Sequence, residues 1–324
     1  MKNYLNNVNL LFAIFTEECN SKCIMCNYWE AKDEKPIENE RILKSIDFLA
    51  QRNLKKVIFT GGEALLRSSD LFYVAQGIKS KYPALELRLL TNGILINKYI
   101  DEIDELFDIV AVSFDSANAI NYARIRGVNA FELVINNIKL LRNCKKQKEI
   151  RLRTVVQKSN YKEIMEIINL AADLKVDKLS FIPLDTFIAD SFGKKRNLSL
   201  YKSLVLDETD TQEFERIVHE IISNYIPDSK YDLLVQRGKD LSNILSYYKN
   251  GLKGYAQRCN GFENSLVFKT NGDISTCFFM DNIGNIREQT LEEIVNSTKF
   301  DSLMSEIISG HRKECERCTC PIYV

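Results

Sequence analysis

Short apolar runs alternate with longer amphipathic segments over the first 185 residues. The apolar runs predict strands, which lie at Val8–Phe15, Lys56–Thr60, Glu86–Thr91, Ile109–Phe114, Arg151–Val156 and Lys178–Pro183. The segments between them carry apolar residues at helical spacing and predict helices at Asn39–Arg52, Ser69–Lys81, Lys98–Leu106, Ala130–Asn143 and Lys162–Leu174. Nearly continuous apolar strands are typical of a parallel sheet that is covered on both faces. Six strand–helix units in series therefore predict an α/β fold whose sheet curves into a barrel or part of one.

The pattern changes from about Ser199 onwards. Helical periodicity predicts helices at Asp210–Tyr225, Asp240–Asn250 and Leu291–Ser297. Two short β-rich runs flank Asn271-Gly272, which is a strong hairpin signal. We therefore expect three regions: a barrel over residues 1–190, a helical connecting region over 191–256, and a small C-terminal domain over 257–324.

Charge and composition exclude several classes of protein. The chain has 44 Lys and Arg against 44 Asp and Glu, so it lacks the net positive charge that nucleic-acid backbones and anionic membranes attract. The apolar run Leu10–Phe15 is too short for a signal peptide, and no run approaches the length of a membrane span. We therefore expect a cytoplasmic protein that binds neither nucleic acid nor membrane. Nine cysteines in a reducing compartment indicate metal ligation or thiol chemistry.

The strongest chemical signal is a C-x3-C-x2-C cluster directly after the first predicted strand. It comprises Cys19, Cys23 and Cys26, and three thiolates on one loop can converge on a soft metal site. An iron–sulfur cluster held by three cysteines keeps one iron open for another ligand. A zinc loop that borrows a distant fourth ligand is the alternative at this point.

Polar residues and glycines follow the next three predicted strands, at the edge where parallel α/β sheets carry their chemistry. They are Gly61-Gly62-Glu63 after the second strand, Asn92 after the third, and Ser113 and Asp115 around the end of the fourth. The two glycines allow a ligand to approach the backbone closely, and a carboxylate such as Glu63 can accept hydrogen bonds from an ammonium group. Each segment alone is also compatible with a plain turn or helix cap.

In combination, these motifs resemble the radical S-adenosylmethionine (SAM) enzymes, and the resemblance extends over residues 8–320. It implies a partial (β/α)6 barrel of the TIM type, with a 4Fe–4S cluster on Cys19, Cys23 and Cys26. SAM would chelate the fourth iron through its amino and carboxylate groups. The chain departs from the family pattern at Ala64, where proline is usual, which we expect to relax the loop without removing its contact.

The resemblance also implies the residues that bind SAM. They are Tyr28 beside the adenine, Gly61, Gly62 and Glu63 at the ammonium group, Ser113 and Asp115 near the ribose, and Asn92 as a further polar contact. Arg126 and Arg153 are candidates for the SAM carboxylate. An exposed salt bridge is the alternative for each of these two arginines.

A second set of thiols lies in the C-terminal region. Its spacing, C-x12-G-x4-C followed by C-x2-C, resembles the auxiliary-cluster domain called twitch, a shortened relative of the SPASM domain. We expect one auxiliary 4Fe–4S cluster on Cys259, Cys277, Cys315 and Cys318, with a four-cysteine zinc site as the alternative. Cys320 is left over; it could donate a hydrogen atom to a substrate radical, replace Cys318 as a ligand, or have no role in the chemistry.

These features predict an enzyme that reductively cleaves SAM to a 5′-deoxyadenosyl radical, which then abstracts a hydrogen atom from the substrate. We expect an oxidoreductase or epimerase that acts on a small molecule such as a sugar or cyclitol. Radical modification of a peptide is the alternative, and a metal-binding scaffold without enzyme activity is a third possibility. An external donor such as flavodoxin or ferredoxin would supply the electron.

Overall fold

A computed structural model describes residues 4–30, 36–185, 202–225, 232–235, 239–254, 259, 261–309, 313–316 and 318. Six strands alternate with helices in its first half. They are β1 (Leu10–Ile14), β2 (Lys56–Thr60), β3 (Glu86–Thr91), β4 (Ile109–Ser113), β5 (Glu149–Val156) and β6 (Lys178–Pro183). All six pair in parallel and in sequence order. The predicted α/β fold and parallel sheet are confirmed.

The helices cover one face of this sheet. In the first half they are α1 (Tyr4–Asn7), α2 (Asn39–Ala50), α3 (Ser68–Lys81), α4 (Ile100–Leu106), α5 (Ala119–Arg126), α6 (Phe131–Arg142) and α7 (Ile164–Asp173). Further along the chain come α8 (Glu208–Glu220), α9 (Lys239–Lys249), α10 (Gly261–Asn264), α11 (Leu291–Val295), α12 (Thr298–Ile308) and α13 (Lys313–Glu316). Each helix predicted between two barrel strands is present within a few residues of its expected bounds.

The C-terminal hairpin continues the barrel sheet. Its strands are β7 (Ser265–Phe268) and β8 (Asp273–Ser275), and a two-residue strand β9 (Gly284–Asn285) follows. β7 pairs in parallel with β1, while β8 and β9 add in antiparallel fashion, so the strand order is β6-β5-β4-β3-β2-β1-β7-β8-β9. The predicted hairpin is confirmed, and β1 lies between the barrel strands and the C-terminal segment.

The two faces of the sheet differ in character. On β3 and β5 every second residue is buried in the main core with the helices, including Leu87, Leu89 and Leu152. The alternating positions, such as Arg88 and Arg151, stay partly exposed on the opposite face, which we call the concave face. We expected strands that are buried on both faces. On β3 and β5, buried and partly exposed residues instead alternate strictly, because the inside of the partial barrel is open.

Helix α5 is absent from the sequence-based expectations. Its apolar periodicity is weak, since Ile120 is 83% exposed whereas Arg126 is buried. The local signals are its caps: the Asn118 side chain accepts hydrogen bonds from Ile120 N and Asn121 N, and Gly127 ends the helix at φ +65°. Capping therefore specifies this helix better than its hydrophobic pattern does.

The edge strand β6 is covered by the segment that follows it. α8 and α9 pack on each other, and α9 packs on β6. Leu179 N donates to Leu233 O at 2.8 Å, and the Asp240 carboxylate of α9 accepts from Phe181 N at 2.8 Å. These contacts saturate edge groups that would otherwise be open to another strand. Across the described ranges, no helix is long and apolar enough to cross a membrane.

Asp240 predicts a pH-dependent stability. Burial raises the pKa of this carboxyl to about 6 from an ordinary value of 3.8. The folded chain therefore holds this proton more tightly than the unfolded chain, and the free energy of unfolding should fall by at most about 3 kcal/mol as pH rises from about 4 to 6. We expect Asp240→Asn to flatten this slope in urea denaturation series. The exposed Asp301→Asn substitution on α12 is the control, and an unchanged slope in Asp240→Asn would contradict the assignment.

Candidate functional site

The three N-terminal cysteines lie on a loop that follows β1, residues 16–26, which we call the cysteine loop. Cys23 is buried, while Cys19 and Cys26 are half-buried. Ser21 N donates to the Cys19 sulfur at 3.4 Å, and Cys26 N donates to Cys23 O at 3.1 Å. The indole N–H of Trp29 donates to Cys26 O at 2.8 Å. The loop is thus folded by its own backbone and held at its end by the indole ring.

The glycines after β2 hold the start of this loop. Gly62 N donates to Thr16 O at 2.7 Å, and Glu63 N donates to Glu18 O at 2.8 Å. A Cβ atom on Gly61 would lie 2.2 Å from Thr16 O, and one on Gly62 would lie 2.2 Å from Glu18 O. Both positions therefore exclude any side chain. In this structure the close approach that the glycines permit is to the cysteine loop itself.

The C-terminal end of α5 holds the other side of the loop. Ile24 N donates to Ile125 O at 2.9 Å. Gly127 has φ +65°, and a Cβ atom there would lie 2.2 Å from Lys22 O. The cysteine loop is therefore clamped between the Gly61-Gly62 pair and Gly127. Gly127 has no role in the sequence-based expectations; its signal is a glycine that directly follows a short segment with two basic residues, Arg124 and Arg126.

Glu63 is fully buried beneath the glycine pair. Its carboxylate accepts hydrogen bonds from Leu65 N at 3.2 Å, Thr91 Oγ1 at 2.9 Å and Asn92 N at 2.7 Å. Burial raises the pKa of this carboxyl, and the three donors oppose that shift. Both oxygens thus join the end of β2 to the end of β3. A direct contact between Glu63 and the SAM ammonium group stays a prediction.

Asn92 links the end of β3 to the cysteine loop. Its amide nitrogen lies 2.6 Å from Asn20 Oδ1, 3.2 Å from Ser21 Oγ and 3.9 Å from the Cys19 sulfur. Its amide oxygen accepts from Ile94 N at 3.0 Å. The side chain is 4% exposed, so it supports the loop from below. Asn20 and Ser21 are contacts that motif spacing alone did not predict.

Asp115 and Arg126 form a buried ion pair. Arg126 Nη1 donates to Asp115 Oδ2 at 2.9 Å, and Asp115 Oδ1 accepts from Val155 N at 2.8 Å. The side chains are 9% and 1% exposed for Arg126 and Asp115, so an exposed salt bridge does not describe Arg126. The positive charge of Arg126 lowers the pKa of Cys23, but burial dominates and raises it to about 11. A soft cation is therefore needed to hold this sulfur as a thiolate at neutral pH.

Ser113 and Arg153 face each other across neighbouring strands. They are register partners of β4 and β5, and both are half-buried on the concave face. Tyr28 is half-buried in a single helical turn, Tyr28–Glu30, two residues beyond Cys26. All three residues lie at or near the carboxyl edge that carries the cysteine loop. Their contacts with SAM stay predictions.

The four C-terminal cysteines line one cavity of about 340 Å³. They are Cys259, Cys277, Cys315 and Cys318, and Phe12 of β1 and Phe278 form part of the same wall. The rings of Phe12 and Phe278 meet edge to face at 4.8 Å. Gly261 N donates to the Cys259 sulfur at 3.3 Å, and Phe279 N donates to the Cys277 sulfur at 3.5 Å. Cys320 lies outside the described residues.

No disulfide joins the eight cysteines that the structure describes. Within the same ranges, no three His, Cys, Asp or Glu side chains come close enough together to hold one metal ion. Four thiols that line one cavity are a donor set that a 4Fe–4S cluster can take.

A partial barrel with one group of thiols at its carboxyl edge and another beside β1 is typical of iron–sulfur enzymes. Residues 13–171 match the family model of the Radical SAM superfamily, and residues 259–321 match that of the SPASM iron–sulfur cluster-binding domain. The chain belongs to the radical SAM superfamily and carries a SPASM domain. Both domains imply 4Fe–4S clusters and SAM as cofactors, and the donor sets described above fit the clusters.

Curated relatives carry out different reactions. The chain is 28% identical over 311 residues to the molybdenum cofactor biosynthesis protein moc-5 of Caenorhabditis elegans, covering 90% of this chain and 46% of that protein. It is 27% identical over 214 residues to the GTP 3′,8-cyclase of Petrotoga mobilis, covering 63% and 65%. It is 26% identical over 329 residues to the Fe-coproporphyrin III synthase of Methanosarcina barkeri, covering 94% and 78%. The chain thus spans less than two thirds of the length of the first two relatives.

Solved structures share the fold at low identity. SuiB of Streptococcus suis bound to S-adenosylmethionine has a TM-score of 0.70 at 17% identity, over 96% of this chain and 71% of that one. The protein anSMEcpe with bound AdoMet and the Kp18Cys peptide has a TM-score of 0.69 at 19% identity, over 96% and 86%. These likenesses support the fold of the whole described chain.

The clamp on the cysteine loop predicts a sharp difference between two glycine substitutions. Gly127 and Gly251 both have φ +65°, but among the described residues nothing lies within 4 Å of a Cβ added to Gly251. Gly251→Ala should cost about 1 kcal/mol of unfolding free energy through backbone strain alone. Gly127→Ala should cost roughly 2–3 kcal/mol more, because it also displaces Lys22 O. Thermal unfolding measures this difference in stability. Because Gly127 contacts the cysteine loop, Gly127→Ala should also bind less iron on reconstitution than Gly251→Ala, and equal iron content in both variants would contradict the prediction.

Proposed function

We propose that this enzyme cleaves SAM reductively and uses the resulting radical to oxidise a small molecule held on the concave face. The observation that carries the proposal is the convergence of four thiols, Cys259, Cys277, Cys315 and Cys318, on one cavity whose wall includes Phe12 of β1. Four protein thiolates can complete the ligand set of a 4Fe–4S cluster. A cluster without an open iron would be suited to accepting an electron from the substrate radical, and release of a proton to solvent would complete a dehydrogenation.

The N-terminal cofactors, when bound, supply a 5′-deoxyadenosyl radical that abstracts a hydrogen atom from the substrate. Cys19, Cys23 and Cys26 would hold the cluster, and the glycine clamp sets the shape of their loop. Arg126 lies buried near Cys23 and offsets part of the negative charge of the thiolates. The remaining SAM contacts that we propose are the half-buried residues Tyr28, Ser113 and Arg153, together with Asp115, Asn92 and the Gly61-Gly62-Glu63 segment.

The two cysteine sites are connected through β1. Phe12 lines the C-terminal cavity, and Cys19 follows seven residues later along the same strand and loop. The Cα atoms of these two residues are therefore at most about 25 Å apart. A substrate on the concave face near β1 lies beside both sites. This placement supports the transfer of hydrogen to one site and of an electron to the other.

Epimerisation is the alternative outcome of the same first step. It requires that a thiol return a hydrogen atom to the substrate radical, and Cys320 is the cysteine left over for that role. We propose dehydrogenation as the main reaction because the four thiols that would hold its electron acceptor line one cavity among the described residues.

The substrate that we favour is a small molecule, for instance a sugar or cyclitol. A peptide is the second candidate, since the neighbours SuiB and anSMEcpe have been crystallised with peptides. Those neighbours share the fold at 16–19% identity, so they show that this architecture can accept a peptide chain. An external electron donor such as flavodoxin or ferredoxin and a reducing, cytoplasmic location complete the proposal, because both clusters need reduced thiols.

Metal content and SAM cleavage test the proposal together. After anaerobic reconstitution we expect about eight irons per chain, and 5′-deoxyadenosine should form when SAM and dithionite are added. The Cys19→Ala/Cys23→Ala/Cys26→Ala variant should retain about four irons and form no 5′-deoxyadenosine, because its remaining cluster lies in the C-terminal cavity. The Cys277→Ala/Cys315→Ala variant should also retain about four irons but lose substrate oxidation.

Two results would contradict this assignment. Zinc in the C-terminal cavity of the freshly isolated protein, with four irons as the maximum after reconstitution, would remove the electron acceptor. A wild-type chain with both clusters and a working reductant that never forms 5′-deoxyadenosine would remove the radical reaction itself.

A further inference from the structure

Part of the inside of the partial barrel is polar, whereas the inside of a closed barrel is commonly packed with aliphatic side chains. The concave positions of β3 carry Glu86 and Arg88, and those of β5 carry Glu149 and Arg151. These four side chains are between 18% and 34% exposed. Charged groups that remain accessible inside a concave face can meet a ligand, whereas closely packed aliphatic residues would only fill space.

The two arginines are held in the same way. Arg88 Nε donates to Glu86 Oε1 at 2.5 Å, and Arg151 Nε donates to Glu149 Oε1 at 2.7 Å. Each glutamate lies two residues earlier on the same strand, so it fixes the guanidinium group through its inner nitrogen. In the described part of the chain, no hydrogen bond involves the terminal amino groups of either arginine. Such a pair of amino groups binds a carboxylate or phosphate through two parallel hydrogen bonds.

The register of the sheet places the two arginines diagonally across β4, two residues apart along the strand direction. On β4, which lies between them, Ile109 is the partner of Arg88 and Ala111 is the partner of Arg151. Standard strand spacing and rise place the Cα atoms of the two arginines on the order of 12 Å apart. Both side chains can span half of this distance. In this register Ala111 lies between Leu90 and Arg151, and Ile109 lies between Arg88 and Glu149.

The opposite part of the concave face is apolar. Leu10, Phe12 and Ile14 of β1, together with Ile58 of β2 and Val267 of β7, form a hydrophobic cluster separate from the main core. A molecule on this face would therefore meet apolar side chains toward β1 and β7 and guanidinium groups toward β3 and β5. This arrangement fits a substrate that has an apolar portion and an anionic group.

We propose that Arg88 and Arg151 together bind an anionic group of the substrate, either a carboxylate or a phosphate. The inference rests on the proposed function, since it takes the concave face as the substrate site, and it specifies the substrate's charge. A purely structural lattice of two ion pairs is the competing explanation. Partly exposed ion pairs of this kind contribute little to stability, so a structural role alone gives little reason for four charges inside the barrel.

Binding of simple anions tests this inference without SAM or reductant. The reconstituted full-length protein is titrated with inorganic phosphate and with propionate by calorimetry, with chloride keeping the ionic strength constant. The wild type should bind one of them saturably. We expect Arg88→Gln and Arg151→Gln to weaken that binding at least tenfold. Arg142→Gln is the matched control, because Arg142 also pairs with a carboxylate, Asp177, but lies on helix α6.

The two titrations distinguish the kinds of anion. Tighter binding of phosphate indicates a phosphorylated substrate, and tighter binding of propionate indicates a carboxylate. Arg151→Lys keeps the charge but loses the two parallel donors, so its binding should fall between the wild type and Arg151→Gln. This conservative variant keeps the test decisive if Arg151→Gln does not fold.

Absence of saturable binding, or equal binding in the wild type and both glutamine variants, would overturn the inference. Failure of this inference can be distinguished from failure of the proposed function. A protein that binds the anion through these arginines but never forms 5′-deoxyadenosine contradicts only the radical reaction. A protein that forms 5′-deoxyadenosine but shows no anion binding contradicts only the arginine site.

Discussion

The close approach of three backbone segments at the carboxyl edge of the sheet is the constraint on which the rest of the site depends. The cysteine loop passes between the Gly61-Gly62 pair and Gly127 at separations that leave no room for a Cβ atom. Backbone hydrogen bonds from Gly62, Glu63 and Ile24 fix its path. The loop therefore has its shape before any thiol meets a metal, and less conformational entropy is lost when the three ligands are brought together.

Charged residues near the loop act as supports as well as candidate ligands. Both carboxylate oxygens of Glu63 accept hydrogen bonds from groups at the ends of β2 and β3. One oxygen of Asp115 accepts a hydrogen bond from Val155 N, and the other accepts one from Arg126. Because these groups are buried, an unpaired carboxylate oxygen would be costly, so the network has little freedom to rearrange. The polar residues that follow the strands thus hold the edge of the barrel in one conformation.

Much of the fold could be predicted from the sequence, because apolar runs specify parallel strands, and cysteine spacing predicted which four thiols line the C-terminal cavity. β2, β3 and β6 have the predicted bounds, and the hairpin around Asn271-Gly272 is present. Helix α5 was missed since its amphipathicity is weak and its caps decide its ends. Gly127 and the arginine pair on β3 and β5 were missed for another reason. Their significance depends on register and on contacts between segments far apart in the chain, which no local pattern contains.

The parallel pairing of β1 with β7 has a consequence for how the protein is made. Leu10 is the register partner of Ser265, which lies 255 residues later in the chain. During synthesis, β1 therefore keeps an unpaired edge until β7 has left the ribosome. Such distant pairings fold slowly, and the cysteines that line the C-terminal cavity become positioned only after this late step. The N-terminal cysteine loop, whose clamping backbone contacts lie within the first 127 residues, can take its shape earlier. The exposed edge of β1 is then the place where an unfinished chain would aggregate.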